Sequence, residues 1–423
     1  MKKRILALSL AAALVVGAMA SCTPEKEPVS SVEARDITLV MWGSEADQDF
    51  LKETSAAWAK DYAAANADVN SVTVDVQIVG EDQATTDATK DLSAAADLFG
   101  VANDQLSTLV PANAIYALPE SVVSDVTKVV GESSVASTMY DGKYYGFPYA
   151  PNTAEIMFYN TSMYTADDVK SLNTMLEKEL PGGATNLIAD VNNAWNSMTW
   201  FATAGAKLFT GGDKTVNTLN CDEAVKMLEW LQSQGDSGTK KIAQAGSGKD
   251  DAAAMLKDGK AGALFFGAWA KDAFKEALGD NYGVAELPTL TVEGVCENQH
   301  LTCFGGSKML VINAQTKEPE AALALAQYVI SEESQLKRFK AVGQTPTAVA
   351  LATNEEIAAD PAVAAEVAQG AYTVVNDPLG GTAGYWDLEK PVIYEIFTGK
   401  TAAADIKGKL DELVAAMNKN LGL

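Results

Sequence analysis

A glycine-rich segment with a lysine, Gly246 to Asp250, is the first place where phosphate chemistry could occur. A phosphate-binding loop needs a glycine five residues before its Gly-Lys pair and a Ser or Thr directly after it. The backbone N–H groups of such a loop cradle the phosphates, and the hydroxyl binds Mg²⁺. Here Ala243 and Asp250 occupy those two positions. We therefore expect no nucleotide site in this segment.

Hydrolytic and metal chemistry have little support in the side chains present. The chain has a single histidine, His300, and no Gly-x-Ser-x-Gly motif, so a serine nucleophile with its base is not expected. One histidine and scattered cysteines do not give the ligand spacing of a zinc site. A glycoside hydrolase, however, needs only two carboxylates about 5–9.5 Å apart. With 56 acidic residues such a pair stays possible, and a secreted glycoside hydrolase remains an alternative.

The N-terminal segment predicts export from the cytoplasm. Residues 2–4 are basic, an uncharged apolar run extends from Ile5 to Ala20, and Cys22 follows closely. This order is typical of a secretory signal, here residues 1–21. The segment resembles a bacterial lipobox, with Met19 in the place usually held by leucine, and this implies a chain that begins at a diacylated Cys22. Plain secretion after cleavage near Ala20 is the alternative.

A polar, proline-containing stretch at 22–35 is expected to act as a flexible tether between the lipid anchor and a folded body. The formal net charge of the chain is −24. Such a surface repels phosphate backbones, so nucleic-acid binding is not expected. The length allows two domains, and an apolar content of 48% allows a large core.

Three cysteines follow the predicted anchor. In an oxidising compartment, Cys296 and Cys303 are predicted to form a disulfide across the short loop between them, with Cys221 left free. The alternative is three free thiols.

The elements that must position a site alternate between strands and helices. Ile37 to Trp42, Val72 to Ile78 and Ala96 to Val101 are predicted strands, with a helix after each of the first two. This alternation predicts an α/β fold with a mostly parallel, covered sheet. Further predictions are a hairpin within 140–148, strands Glu155 to Tyr159 and Met309 to Asn313, and helices at 161–180, 192–209, 221–234, 319–339 and 402–421.

Five segments resemble the extracellular solute-binding proteins of ATP-driven importers, in the branch that contains maltose-binding protein. In chain order they are Tyr140 to Asn160, Lys257 to Trp269, Phe304 to Asn313 with the following helix, Gly343 to Leu351, and Gly384 to Thr401. The resemblance implies an α/β, two-lobed periplasmic-binding-protein-like fold of type II. Its two α/β lobes are joined by crossing hinge strands, and a ligand cleft lies between them. The predicted lobes are 36–149 plus 304–346 and 150–303 plus 347–423.

A sugar site needs flat aromatic faces for the C–H surfaces of the rings, and acids or amides for the hydroxyl groups. The resemblance implies that such groups lie near strand ends facing the cleft. The candidates are Trp42, Glu45, Asn103, Asp104, Asn152, Glu155, Trp195, Trp269, Tyr385 and Trp386. Trp269 matches the Gly-x-Trp segment of the family. Trp42 is equally compatible with the core, one of Tyr385 and Trp386 is expected to face the cleft, and Trp200 could replace Trp195.

The sequence therefore predicts a lipid-anchored, extracytoplasmic substrate-binding subunit of an ABC importer. It is expected to bind a carbohydrate, such as a maltodextrin, between its lobes and to deliver it to the transmembrane subunits of a permease. We predict a monomer with no enzyme activity, no cofactor and no metal. Besides the hydrolase, a surface module with a degenerate cleft and a binding protein for a non-sugar solute, such as a polyamine or a phosphorylated polyol, remain open.

Overall fold

The computed structural model describes residues 34–423, apart from 152–153, 210–212, 245 and 247. The predicted signal peptide, Cys22, most of the tether and Asn152 therefore lie outside the described residues. Within the described ranges, no helix has the length and apolar character needed to cross a membrane. The same ranges contain no cluster of His, Cys, Asp and Glu suited to a metal ion.

Strands and helices alternate along most of the chain. The strands are β1 Arg35–Gly43, β2 Val69–Ile78, β3 Leu98–Ala102, β4 Met139–Tyr140, β5 Lys143–Tyr144, β6 Gly146–Pro151, β7 Glu155–Asn160, β8 Leu187–Ile188, β9 Ile242–Ala243, β10 Ala263–Gly267, β11 Tyr282–Ala285, β12 Thr289–Val292, β13 Cys296–His300, β14 Cys303–Gly305, β15 Ser307–Ile312 and β16 Thr373–Val375. The helices are α1 Gln48–Ala65, α2 Glu81–Lys90, α3 Leu106–Leu109, α4 Glu120–Val130, α5 Glu132–Ala136, α6 Leu172–Glu177, α7 Ala194–Thr203, α8 Asp222–Gln234, α9 Lys249–Lys257, α10 Lys271–Leu278, α11 Pro319–Val329, α12 Glu332–Val342, α13 Glu355–Ala358, α14 Pro361–Gln369, α15 Leu379–Thr382, α16 Tyr385–Phe397 and α17 Ile406–Asn420.

The first five-stranded sheet has the order β2-β1-β3-β15-β6. Strand β1 runs parallel to β2 and β3, whereas β15 is antiparallel to β3 and β6. One face packs against α1 and α11, and the other against α2 and α3. Because both faces are covered, alternate residues of β1 enter different clusters. Leu39 and Met41 belong to the apolar cluster with α1 and α11, and Trp42 belongs to the cluster with α2 and α3.

The second five-stranded sheet has the order β11-β7-β10-β8-β9. Strand β7 is antiparallel to β10 and β11, and β8 is parallel to β10 and β9. Met157 and Phe265 point toward α7, α8, α16 and α17, while Phe158 and Phe266 point toward α9, α10 and α14. This two-sided burial explains why β7 and β10 are almost continuously apolar.

The chain passes between the two sheets at β6 to β7 and at β14 to β15. Strand β14 also pairs in parallel with β16, Cys303 with Thr373 and Gly305 with Val375. At Gly306, which separates β14 from β15, an added Cβ would lie 2.3 Å from Asn103 Oδ1. A glycine is required here because the crossing strand approaches Asn103 so closely.

Several predicted elements are confirmed. The sheets are mixed and not mostly parallel as predicted, since four of the eight strand pairings in the two five-stranded sheets are antiparallel. Two helix predictions also need correction. The predicted helix at 319–339 is two helices, α11 and α12, because Ser331 caps α12 by accepting a hydrogen bond from Ser334 N. In the predicted helix at 161–180, only α6 forms. Asn160 Oδ1 accepts a hydrogen bond from Ser162 N at 2.9 Å. This turn gives the backbone an alternative to a helix.

The predicted Cys296–Cys303 disulfide is wrong, because Cys221, Cys296 and Cys303 are all free thiols. Cys296 lies on β13 with its Sγ 3.5 Å from Leu290 O. Cys303 is buried on β14 with its Sγ 3.9 Å from Glu155 O. The two sulfurs contact different strands, β12 and β7, and the strands that carry them, β13 and β14, pair with different neighbours.

Candidate functional site

An aromatic pair lies where β10 and α7 meet. Trp269 follows the end of β10 and is 51% exposed, which is unusual for tryptophan. Its ring covers Gly267, where an added Cβ would lie 1.8 Å from Trp269 Cζ3. The centroids of the Trp195 and Trp269 rings are 5.2 Å apart in a T-shaped arrangement. The exposed ring therefore stands on a fixed base and offers a flat apolar face to solvent.

The start of α7 fixes the second ring of this pair. Asn193 is the N-cap of the helix, and its side chain accepts a hydrogen bond from Trp195 N at 3.0 Å. Trp195 is partly buried. Phe266 adds a third ring, with its centroid 5.8 Å from that of Trp269.

The acidic candidates of the first sheet lie just beyond the carboxyl ends of β1 and β3, which are neighbouring strands. Glu45 is exposed, and Asp104 is partly buried in the turn that follows β3. Burial raises the pKa of Asp104, while a hydrogen bond from Gln105 Nε2 at 3.2 Å opposes this shift. The carboxyl ends of neighbouring strands are where ligands bind in open α/β sheets.

Trp386 approaches this acidic region from the other half of the molecule. It is partly buried, with its ring 5.9 Å from that of Phe304. Gly381 of α15 lies between Trp386 and Ser107, a residue of α3 next to the first sheet. An added Cβ at Gly381 would lie 3.3 Å from Ser107 Oγ and 3.8 Å from Trp386 Nε1. Ser107 in turn donates a hydrogen bond to Asp104 O at 2.8 Å, so the structure places Trp386 near the Asp104 turn.

Three predicted contact residues are core residues in this structure. Trp42 is 7% exposed, packs 5.7 Å from Phe99, and donates from Nε1 to Gln77 Oε1 at 3.1 Å. Asn103 is fully buried, and its Nδ2 donates to Asn376 O at 2.6 Å. Tyr385 is also fully buried, and its hydroxyl donates to Ala194 O at 2.9 Å. We remove all three from the candidate site because they expose too little surface to contact a solute.

Glu155 is buried at the start of β7, where it pairs with Gly267 of β10. It is 2% exposed, and Asn196 Nδ2 donates to its Oε1 at 2.7 Å. Burial raises the pKa of Glu155 to about 7, and it also raises the pKa of Asp190 nearby. These two acids line a void with Asn196, Thr199, Trp200 and Phe265 that has no room for a water-sized molecule. Glu155 is therefore also withdrawn as a direct ligand contact.

Asp190 was missed by the sequence reasoning. It lies two residues after β8, a strand of only two residues that carries no recognisable alternating pattern. Its carboxylate accepts a hydrogen bond from Gln244 Nε2 at 2.7 Å.

The remaining exposed or partly exposed candidates are Glu45, Asp104, Trp195, Trp269 and Trp386. Trp195 and Trp269 form one group, and Trp386 lies near the Asp104 turn in another. Flat rings and acids of these types can bind a hydroxylated solute, and the set contains no Ser, Cys or His nucleophile.

Comparison with known proteins identifies the family. Residues 57–365 match the family described as bacterial extracellular solute-binding protein. This chain belongs to that family. The match covers well over half of the chain, including β7, β10, α7 and Trp269 of the aromatic pair.

Full-length relatives of this solute-binding protein are known. A galactooligosaccharide-binding protein of Bacillus subtilis (strain 168) is 25% identical, covering 97% of this chain and 96% of the relative. A maltooligosaccharide ABC transporter solute-binding lipoprotein of Streptococcus pneumoniae serotype 4 is 23% identical, covering 97% and 96%.

Solved structures show the same fold. A maltodextrin-binding protein from L. casei BL23 without ligand has a TM-score of 0.81 and 28% identity, covering 90% of this chain and 98% of that one. A structure with acarbose has a TM-score of 0.78 and 33% identity, covering 92% and 100%. The predicted family and the two-lobed α/β fold of this solute-binding protein are therefore confirmed.

Proposed function

We propose that this solute-binding protein is the lipid-anchored, extracytoplasmic subunit of an ABC importer that binds an oligosaccharide, such as a maltodextrin, between its lobes. Support comes from the family match and from two relatives, one named a galactooligosaccharide-binding protein and the other a maltooligosaccharide ABC transporter solute-binding lipoprotein. The protein hands its ligand unchanged to the transmembrane subunits of a permease. Cys22 carries the lipid, in line with the lipoprotein named among the relatives.

The observation that carries the proposal is the exposed ring of Trp269 above Trp195. A sugar presents apolar C–H faces that pack against an indole, and aromatic side chains supply contact area at low entropic cost. Glu45, Asp104 and Trp386 add acceptors and a second ring. Such a set suits a chain of several sugar units better than a compact ion.

A neutral sugar is favoured over a phosphorylated solute. Arginine is the residue best suited to phosphate recognition, and two arginines, Arg35 and Arg338, follow the predicted signal. Arg338 is buried in an ion pair with Asp47, and Arg35 pairs with Glu318. The ring contacts of the aromatic pair are with Phe266, and neither arginine is among the neighbours described for it.

The proposed lobes are 36–149 plus 304–346 and 150–303 plus 347–423. The first and second five-stranded sheets lie in these two parts, although β6 extends to Pro151. The crossings at β6 to β7 and β14 to β15 form the proposed hinge. A ligand that contacts both lobes favours the closed form because it makes more contacts there.

The experiment is a thermal-shift panel of neutral oligosaccharides, uronic-acid oligosaccharides, polyols, phosphorylated polyols and amines. A ligand at a hundred times its dissociation constant stabilises the protein by about 2.7 kcal/mol. We expect maltotriose or a longer maltodextrin to raise the melting temperature, and Trp269→Ala to remove most of the rise. The unliganded melting temperature should change little, because half of the Trp269 side chain is already exposed.

Tyr116→Ala is the matched control, since Tyr116 is 39% exposed and belongs to the first lobe away from the aromatic pair. It should keep the full response to ligand. An unchanged response in Trp269→Ala would remove the aromatic pair from the site. A response to phosphorylated polyols or amines alone would overturn the carbohydrate proposal, and release of shorter sugars during incubation would favour a hydrolase.

A further inference from the structure

Two buried carboxyl groups lie against α7, the helix that carries Trp195. Glu155 on β7 is 2% exposed, and Glu389 on α16 is fully buried. Asn196 Nδ2 is 2.7 Å from Glu155 Oε1, and Thr199 Oγ1 is 2.5 Å from Glu155 Oε2. These two partners are three residues apart and share one face of the helix.

The second acid contacts another face of the same helix. The Ser197 hydroxyl donates a hydrogen bond to Glu389 Oε1. Ser197 follows Asn196 directly, and successive residues of an α-helix are rotated by about 100°. Tyr385, on the same helix as Glu389, also bonds to α7 through Ala194 O. The first two turns of α7 are therefore held between β7 and α16.

For both acids, burial disfavours the charged form more than the neighbouring groups favour it. The charged neighbour of Glu155 is another acid, Asp190, and the Cys303 thiol lies 3.9 Å from the Glu155 carbonyl oxygen. Lys390 favours the charged form of Glu389, yet Glu389 Oε2 has no hydrogen-bond partner among the described residues. Burial raises the pKa of Glu155 to about 7 and that of Glu389 to about 8.

We infer that Glu155 and Glu389 are positioning residues, which as neutral carboxylic acids hold α7 and thereby fix Trp195 and Trp269 for ligand binding. This inference rests on the proposed function of the aromatic pair. When either acid ionises, a buried negative charge appears beside α7, which is costly unless the structure moves to hydrate it. Such a movement displaces Trp195, so the protein binds its ligand tightly at acidic and neutral pH and more weakly above about pH 8.

The chain provides a matched control in Glu366 on α14. Glu366 is 4% exposed, and burial raises its pKa to about 7 as well. Its partner is the hydroxyl of Thr345, and Lys271, Lys308 and Asp360 are its charged neighbours. Among the described residues, Glu366 takes its hydrogen bond from Thr345 and none from α7, so its ionisation should not disturb the aromatic pair.

The test is the dissociation constant of maltotriose, measured by calorimetry from pH 5.5 to pH 9 on the full chain. The affinity of the wild type for maltotriose should fall about tenfold from pH 6 to pH 9, a change of about 1.4 kcal/mol in binding free energy. The double variant Glu155→Gln/Glu389→Gln should show a flat profile, because glutamine stays neutral. Glu366→Gln should keep the wild-type profile. Each single variant removes part of the dependence, so the test does not require the double variant to fold.

A pH profile of the double variant that parallels the wild type would overturn the inference, as would a flat profile in Glu366→Gln. If no sugar binds at any pH, the proposed function fails instead. Hydrogen exchange of the α7 amides, corrected for intrinsic exchange rates, then decides the inference alone. Protection of the α7 amides from exchange should fall above pH 8 in the wild type and stay constant in the glutamine variants. The same pH dependence of protection in the wild type and the variants would overturn the inference.

Discussion

Gly267 determines where the ring of Trp269 can lie. This ring packs directly over the glycine, and an added Cβ would lie within 2.2 Å of three of its atoms. Gly267 has a φ of −72°, which any residue adopts without strain. The glycine is therefore required by the closeness of the indole and not by the backbone. The exposed position of Trp269 follows from this one missing side chain.

Gly267→Ala should displace the Trp269 ring and lower maltodextrin affinity about tenfold, or about 1.4 kcal/mol. The melting temperature without ligand should change little, because the displaced ring is largely exposed and can move into solvent. Isothermal calorimetry of both proteins checks this. Gly370→Ala is the control, since an added Cβ there meets nothing within 4 Å. Equal affinity in Gly267→Ala and the wild type would show that ring placement does not matter.

At the scale of elements, a buried ion pair ties the start of α1 to α12. Arg338 Nε donates to Asp47 Oδ1 at 2.8 Å, and Arg338 Nη2 donates to Asp47 Oδ2 at 2.7 Å. The guanidinium also lies over the ring of Tyr149, 4.3 Å from its centroid. Burial raises the pKa of Asp47, but the bidentate contact with Arg338 lowers it overall.

Arg338→Met should destabilise the protein by about 3–5 kcal/mol, because it leaves the Asp47 carboxylate buried without its partner. Urea unfolding at pH 7 measures this loss. The folded pKa of Asp47 is lowered, so its contribution is present above the ordinary value of 3.8 and is lost as pH falls below it. The difference in the free energy of unfolding between the Arg338→Met variant and the wild type should therefore become smaller at acidic pH.

Arg35→Met is the matched control for this prediction. Arg35 forms its ion pair with Glu318 while its side chain is 54% exposed. Surface pairs contribute about 0–1 kcal/mol, so this variant should unfold almost like the wild type. Equal losses in the two variants would mean that burial does not decide the strength of the Arg338 pair.

The elements that the sequence predicts well are those whose pattern is local. Strand β1, the Asp141-Gly142 turn between β4 and β5, and helix α8 were all expected within a few residues of their observed bounds. The break at Ser331 and the turn after Asn160 were missed, because each depends on a side chain that caps the backbone in place of a continuing helix.

Site residues were harder to predict, because exposure depends on tertiary packing. Tyr385 and Trp386 are adjacent on α16, yet the first is fully buried and the second is partly exposed. The resemblance identified the segment but not which ring faces outward. Asn103 and Asp104 differ in the same way, since Asn103 bonds across to Asn376. The sequence therefore predicts which segments contribute to the candidate site, whereas tertiary packing determines which of their side chains are exposed.

At the scale of the whole molecule, α15 links the two halves. Gly380 lies against Leu208 of the proposed second lobe, where an added Cβ would be 3.6 Å from Leu208 Cδ2. Gly381 lies against Ser107, at the end of the first sheet that carries Asp104. Two adjacent glycines thus contact opposite parts of the protein, and there is little space for a larger side chain between them.

Gly381→Leu should hold the two halves apart and weaken maltodextrin binding about tenfold or more. Its side chain would occupy the space between Ser107 and Trp386. The radius of gyration of the ligand-saturated variant, from small-angle X-ray scattering, should exceed that of the ligand-saturated wild type. Gly408→Leu on α17, where an added Cβ meets nothing within 4 Å, should match the wild type. Identical scattering from all three proteins would contradict a role for Gly381 in closure.

The 5.2 Å separation of the Trp195 and Trp269 rings also has an optical consequence. Two indoles this close exchange excitation energy, and one of them meets bulk water. A ligand that covers the exposed Trp269 ring changes the polarity around that ring and its quenching by solvent. The ultraviolet emission of the pair changes as a result. Under the proposed function, this pair is a native fluorescent reporter, and sugar binding can be followed in real time without attaching a dye.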